Sequence, residues 1–383
     1  MKYALTNCEV FTGEANLYNQ SILIEDEYIV GTVLDSEIPS EYKIVDLNGL
    51  NVAPGFIDLQ VNGGGGEFFT QSPNTGTLEA MYNAYKRYGT THTCPTVITT
   101  FEDNIHATLD ATKRAMNEEK WGVLGMHLEG PFINTKKKGT HNVDAIRKPS
   151  TEELERIIAN AEGSLKIITV APEQLTDEQI LLLKNAGIIV SAGHTYASYE
   201  EAMHGYSNGI TMVTHLFNAM SQFNSREPGV VGATFDTDHV FAGIIVDGLH
   251  CDYSSVRTAK KVLGEKLFLV SDSMSFVGAK TNKLIIEGTE ILFKDGRCVN
   301  LNGDFAGTSL TMLDAVQNAV NHANIELREA LRMASLYPAQ AINMDHELGR
   351  IKAGYRADLA IFSNKLDVKG VVSYGELEMF SSK

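Results

Sequence analysis

The spacing of hydrophobic and polar positions changes twice along the chain. From residue 1 to about 51, short apolar runs broken by turn residues, YALTNCEVF, NQSILIEDEYIVGTV and YKIVDLNGLNV, predict a small all-β unit. Eight apolar, β-branched runs follow: GFIDLQV, HTCPTVI, GVLGMHLE, LKIITVAP, GIIVSAG, ITMVTHL, AGIIVDG and LFLVSD. Such runs fit parallel strands buried on both faces. Helical segments separate several of them, opened by capping pairs: Ser150 with Glu153, Thr176 with Gln179, and Ser198 with Glu201. Eight strand–helix units predict an α/β fold of the (β/α)8 TIM-barrel type. After the helical patterns LTMLDAVQNAVNHA and ELREALRMAS, the tail LGRIKAGYRADLAIF returns to the texture of the opening segment. The expected division is a barrel at 53–344 inserted into a second, small domain made of residues 1–52 and 345–383, since chain termini commonly lie close in space.

Composition narrows the function classes. With 383 residues, 43% hydrophobic and 21% charged, the chain can bury a sizeable core. Its 32 Lys and Arg against 48 Asp and Glu give a net charge of -16, which repels the phosphate backbone and argues against nucleic-acid partners. A small anionic substrate remains compatible where positive groups converge. Cys8, Cys94, Cys251 and Cys298 form no C-x-x-C pair, so free thiols in a reducing compartment are expected rather than disulfides or a thiolate zinc site. The first residues lack an apolar signal-peptide core, and no apolar stretch of about 18 residues follows. A soluble, cytoplasmic protein without a membrane partner is the expectation.

In such a barrel, chemistry sits at the C-terminal ends of the strands. Reading those ends in order gives Asp58, Gln60 and Asn62 after strand one, Glu129 after three, His194 after five and His215 after six. Asp247 and His250 follow strand seven, and Asp272 follows strand eight. Two imidazoles and a carboxylate with an open position are a standard catalytic metal set, and Glu129, His194 and His215 supply one. The competing view makes each a strand cap or a core hydrogen-bonding group; three ligand types at three matching ends favour the metal. Asp272 would face the same cavity and act as proton acceptor and donor, or serve as a turn or N-cap residue in SDSMS. His92 and His127 fit core hydrogen bonding, and His106, His204, His239, His322 and His346 the surface. Lys136 to Lys138 read as a solvated loop. Gly63 to Gly66 lack the phosphate-loop pattern and read as a tight turn beside the site.

The stretches VAPGFIDLQVNG, HLEGPFIN, KKKGTHN, SAGHT, HLFNAMSQFNSREPGVVG, DGLH, VSDSM and AGTSLTM, with the closing GRIKAGYRADLAIF, resemble the N-acetylglucosamine-6-phosphate deacetylases of the amidohydrolase superfamily. LEGPF, KKGTHN and HLFNAM are the specific motifs; PGFID and the ADL tail are shared across the superfamily. The resemblance covers nearly the whole chain. It implies a (β/α)8 barrel beside a small β-sandwich from both termini, and hydrolysis of N-acetyl-D-glucosamine 6-phosphate to D-glucosamine 6-phosphate and acetate. It further implies metal ligation by Glu129, His194 and His215, and Asp272 as general base and acid. His141 lies near the sugar, and the phosphate contacts map to Arg226, His250 and backbone near Asn218 and Ala219. In the family the arginine reaches in from a neighbouring subunit, which implies a homodimer.

The chain departs from many superfamily members in one respect. Their H-x-H pair after strand one is replaced by Gln60 and Asn62, neutral amides that are poorer ligands than imidazole. Where some binuclear relatives carry a carboxylated lysine after strand four, this strand ends in Ala171, Pro172 and Glu173. One divalent metal ion per subunit is therefore expected, zinc first, with iron, manganese and cobalt suiting the same ligands. The alternatives are a deacetylase of a related N-acetyl amino-sugar phosphate and a non-catalytic sugar-phosphate sensor, which would have no need of Asp272.

Overall fold

The computed structural model describes residues 1–118, 121–286, 289–294, 296–301 and 306–381. Each of the eight apolar runs contains a strand: β1 (Phe56–Val61), β2 (Thr90–Ile98), β3 (Met126–Glu129), β4 (Leu165–Val170), β5 (Ile189–Ala192), β6 (Ile210–Val213), β7 (Phe241–Ile244) and β8 (Leu267–Leu269). They pair in chain order, every ladder parallel, with registers such as Glu129 opposite Ile98 and Thr169. The strands are short and nearly all their residues are buried, because helices cover one face and the barrel interior covers the other. Past β8 the chain returns to the end of β1: Val61 bridges Ser273, and the Asn62 N–H donates to the Ser273 carbonyl at 2.8 Å. Ser271 Oγ donates to the buried Asp58 at 2.5 Å across the same seam, where burial pushes the Asp58 carboxyl up to about 7.

The helices begin where capping chemistry starts them. Thr176 and Ser198 form complete capping boxes with Gln179 and Glu201. Ser150 caps the Glu153 amide, but the Glu153 carboxylate is drawn away to Arg147 Nε at 2.9 Å, so that box is half formed. Thr311 with Asp314 adds a further box, which the sequence reading passes over. A three-stranded antiparallel sheet follows β8 (Lys283–Ile286, Thr289–Lys294, Arg297–Asn300), where no strand was expected. Ile291 and Cys298 of that sheet pack on Phe68, Met274 and Phe276, making a wall beside the barrel mouth.

The terminal segments combine in one mostly-sheet domain. Strands Lys2–Phe11, Gln20–Glu25, Tyr28–Leu34 and Lys43–Pro54 join Leu359–Phe362, Val368–Ser373 and Glu376–Met379 in a single hydrogen-bonded path. Alternation divides its faces. Leu5, Ile22, Ile24, Val52, Leu359 and Ile361 form a core of their own, while Phe11, Ala53, Ala360 and Phe362 join the barrel core. The domain is thus fastened to the barrel by apolar burial and leaves the opposite, C-terminal mouth open. Among the described residues no helix is long and apolar enough to cross a membrane.

Candidate active site

Glu129 ends β3, and His194 and His215 stand two residues beyond β5 and β6. Their side chains meet: Glu129 Oε1 is 3.1 Å from His194 Nε2 and 3.0 Å from His215 Nε2, and the two Nε2 atoms are 3.0 Å apart. His194 Nδ1 lies 2.8 Å from the Lys137 carbonyl, which only accepts, so Nδ1 carries the proton and Nε2 presents a lone pair. That lone pair points at a carboxylate oxygen and a second imidazole nitrogen, a convergence that calls for a cation. The donor set therefore fits a divalent ion. All three residues are buried.

The backbone reinforces the case. His194, His215 and Asp272 all adopt left-handed φ, at 47°, 32° and 48°, and Phe217 and Ala219 follow at 77° and 49°. Such a conformation costs a non-glycine residue about 1–2 kcal/mol, and clusters of this kind concentrate at functional sites. Here the turn out of each strand sets these side chains over the barrel mouth.

Burial opposes ionisation of Glu129, but the neighbouring His194 and His215 outweigh it and hold the carboxyl well below its usual range. Asp272 is the opposite case: burial, then the negative charge of Glu129, push it up to about 6, with His215 and Asn62 opposing. Asn62 Nδ2 donates to Asp272 Oδ1 at 2.8 Å, and Gln60 Nε2 donates to the same oxygen at 3.3 Å and to Glu129 Oε1 at 3.1 Å.

His141 is buried beside His194, ring centroids 4.3 Å apart, and burial holds it well below the usual imidazole range. Glu129, His141 and His194 each offer a ligand atom within 4.8 Å of the others, so His141 adjoins the same point. Yet His141 Nδ1 accepts from the Thr99 N–H at 3.4 Å, with Thr99 Oγ1 at 2.7 Å, which assigns the proton to Nε2 and makes that atom a donor.

Asn62, Glu129, His141, His194, His215, Asn218, Ala219, His250 and Asp272 share the lining of a cavity of about 300 Å³, within the usual range for small-ligand sites. Larger hollows of 540 and 670 Å³ lie elsewhere and lack such a constellation. His250 Nδ1 pairs with Asp247 Oδ2 at 2.6 Å; burial opposes charge on Asp247, but His250 and two backbone amides keep its carboxyl low. The Asn218 N–H is committed to the His215 carbonyl at 2.9 Å. Arg226 is exposed and lines the 670 Å³ hollow with Tyr196 and Gln222, outside the cavity of its own chain. Glu173 stays apart from Glu129, His194 and His215 and instead accepts from Asn134, Thr195 and the Tyr196 amide. Gly65 and Gly66 turn at φ 66° and 96° between Gly63–Gly64 and Glu67–Phe68, the tight turn expected there.

Two participants escape sequence reading. The Lys137 carbonyl orients His194, and any residue would supply that atom. Thr99 orients His141, and its sole signal is a hydroxyl just past the end of β2.

Residues 51–377 match the model of the amidohydrolase family, and residues 2–52 that of the NagA composite domain. A Haemophilus influenzae protein named N-acetylglucosamine-6-phosphate deacetylase is 40% identical over 98% of this chain and 99% of its own. An N-acetylgalactosamine-6-phosphate deacetylase of a Shewanella species is 35% identical over 93% of this chain and 91% of its own. The crystal structure of N-acetylglucosamine-6-phosphate deacetylase from Pasteurella multocida superposes with a TM-score of 0.96 at 37% identity, covering 99% of this chain and 100% of that one.

Proposed function

The chain belongs to the amidohydrolase family, and from that premise and the geometry of its site we propose that it is an N-acetylglucosamine-6-phosphate deacetylase. It hydrolyses N-acetyl-D-glucosamine 6-phosphate to D-glucosamine 6-phosphate and acetate. The observation that carries this proposal is the meeting of Glu129, His194 and His215 beside a half-buried Asp272 whose carboxyl is pushed up to about 6. The two nearly full-length relatives act, by their names, on N-acetylated amino-sugar phosphates.

In this mechanism Glu129, His194 and His215 would hold one divalent ion, zinc first, with iron, manganese and cobalt suiting the same donors. What such an ion supplies when bound is positive charge beside water and the acetyl carbonyl, acidifying one and polarising the other. Asp272 takes a proton from the attacking water. As the new C–O bond forms and the C–N bond breaks, Asp272 returns that proton to the sugar nitrogen, releasing the amine and acetate. A carboxylate fixed at that position can accept the proton and give it back. His141 Nε2–H donates toward the acetyl oxygen or the sugar.

The phosphate is held by His250, backbone near Asn218 and Ala219, and Arg226 of the partner subunit. An arginine fork suits phosphate, and among the described residues the cavity lining within one chain includes neither lysine nor arginine. The assembly is accordingly a homodimer with composite sites. Mixing Arg226→Ala and Asp272→Asn chains should then restore activity that neither has alone, because one site regains both groups; no recovery would reject the shared site. Four buried free cysteines support a reducing, cytoplasmic setting.

A second reading, preference for the galactosamine isomer, is favoured by the Shewanella relative. Acetate release from both 6-phosphates and from unphosphorylated N-acetylglucosamine decides between them. The glucosamine phosphate should turn over fastest and the unphosphorylated sugar slowest; a faster unphosphorylated sugar would sink the proposal.

A further inference from the structure

The end of β1 is laced to Asp272 twice. In the main chain, the Asp272 N–H donates to the Gln60 carbonyl at 2.9 Å and the Asn62 N–H to the Ser273 carbonyl at 2.8 Å. In the side chains, Asn62 Nδ2 and Gln60 Nε2 both donate to Asp272 Oδ1, at 2.8 and 3.3 Å. Gln60 Nε2 also donates to Glu129 Oε1 at 3.1 Å, so one neutral NH2 group spans two carboxylates. Both amides are 2% exposed, and a carboxylate only accepts, so their nitrogens must be the atoms that face it.

Poor affinity for metal says what Gln60 and Asn62 do not do; the geometry says what they do. Asp272 Oδ1 carries two donated N–H groups and a fixed backbone, which leaves Oδ2 as the oxygen on which a proton can travel. Aiming that oxygen matters, because a positioned acid–base group loses its advantage when it rotates away from the reacting atom. Gln60 links this aim to Glu129, so that the ligand set and the proton carrier keep one relative geometry without a second cation between them. We propose, resting on the deacetylase reading above, that Gln60 and Asn62 are positioning residues: their side-chain amides hold one oxygen of Asp272 and register the other against the scissile nitrogen.

The test is steady-state kinetics on N-acetylglucosamine 6-phosphate with Asn62→Ala, Asn62→Asp and Gln60→Met, each with metal content and Tm measured. A hydrogen bond to a charged group sets the scale, so Asn62→Ala and Gln60→Met should each lower kcat about 10- to 100-fold with KM and bound metal near wild type. Asn62→Asp keeps the shape, removes the N–H and adds a like charge, so it should lose more activity than Asn62→Ala. If Asn62 merely filled space, the isosteric Asp would be the milder change. The proposal is overturned if Asn62→Asp retains more activity than Asn62→Ala, if kcat stays within about twofold of wild type, or if kcat falls only in proportion to lost metal. Gln60→Met decides the matter alone should an Asn62 variant not fold. Wild-type protein that releases no acetate would withdraw the deacetylase reading and this inference with it; an active wild type with undisturbed variants would remove this inference only.

Discussion

Two buried histidine–carboxylate clusters sit at opposite ends of the barrel. At the mouth, Glu129, His194 and His215 converge at 3.0–3.1 Å, the two histidines on left-handed backbone, facing a cavity. At the base, His92 near the start of β2 has Nε2 3.6 Å from Asp358 Oδ2 of the terminal domain, and both atoms lack a hydrogen-bond partner among the described residues. Asp358 Oδ1 accepts the Tyr374 amide at 2.7 Å. Burial pushes the Asp358 carboxyl up to about 7, while burial and then the Arg356 charge push His92 down to about 3, so the pair is not an ion pair at neutral pH. The residue types are the same in both places. What separates a reactive cluster from a structural one is convergence of several lone pairs on one accessible point, here with the His194 ring held through its other nitrogen by the Lys137 carbonyl.

That contrast is open to attack from both ends. The largest effect should come from Asp272→Asn, which keeps the shape and removes the proton carrier. Turnover should fall about 10²–10⁴-fold, the usual contribution of a positioned acid–base group, while substrate still binds; near-normal kcat would reject the assignment. Next, His194→Asn or His215→Asn should cost bound metal, read as less than one equivalent by elemental analysis, whereas His92→Asn should keep metal and kcat. The His92 change should instead lower unfolding free energy by about 1–3 kcal/mol in a denaturant titration. Loss of metal on changing His92 would erase the distinction between the clusters.

The smallest effect concerns pH. The Asp358 carboxyl titrates near 7 when folded and at about 3.9 when unfolded. A raised carboxylate destabilises the folded chain once ionised, so the cost is complete above about 7 and fades as pH falls toward 4. Asp358→Asn should therefore be more stable than wild type at pH 8, with the gain in Tm shrinking toward pH 5; the His92 titration is common to both chains and cancels. A gain independent of pH would show that Asp358 is not the group that titrates.

The barrel was legible because buried parallel strands write themselves as apolar runs, and ligand-type residues at their ends stand out against that background. His92 and His127 were readable as core groups, and His127 does bond the Leu59 carbonyl and Thr169. Positive φ at His194, His215 and Asp272 left no mark in composition, since only tertiary packing holds a non-glycine residue there. The partners of Asp358 were equally hidden, because residue 92 and residue 358 meet through domain packing rather than spacing. Gln60 and Asn62 were visible as departures from a metal motif, but their shared grip on Asp272 needed coordinates.

Titration of metal-depleted protein with a divalent ion, followed by acetate release from N-acetylglucosamine 6-phosphate, tests the central claim most directly. Activity should rise from near zero and break at one equivalent per chain, the capacity of Glu129, His194 and His215. Full activity in excess chelator, or a break at two equivalents, would contradict it.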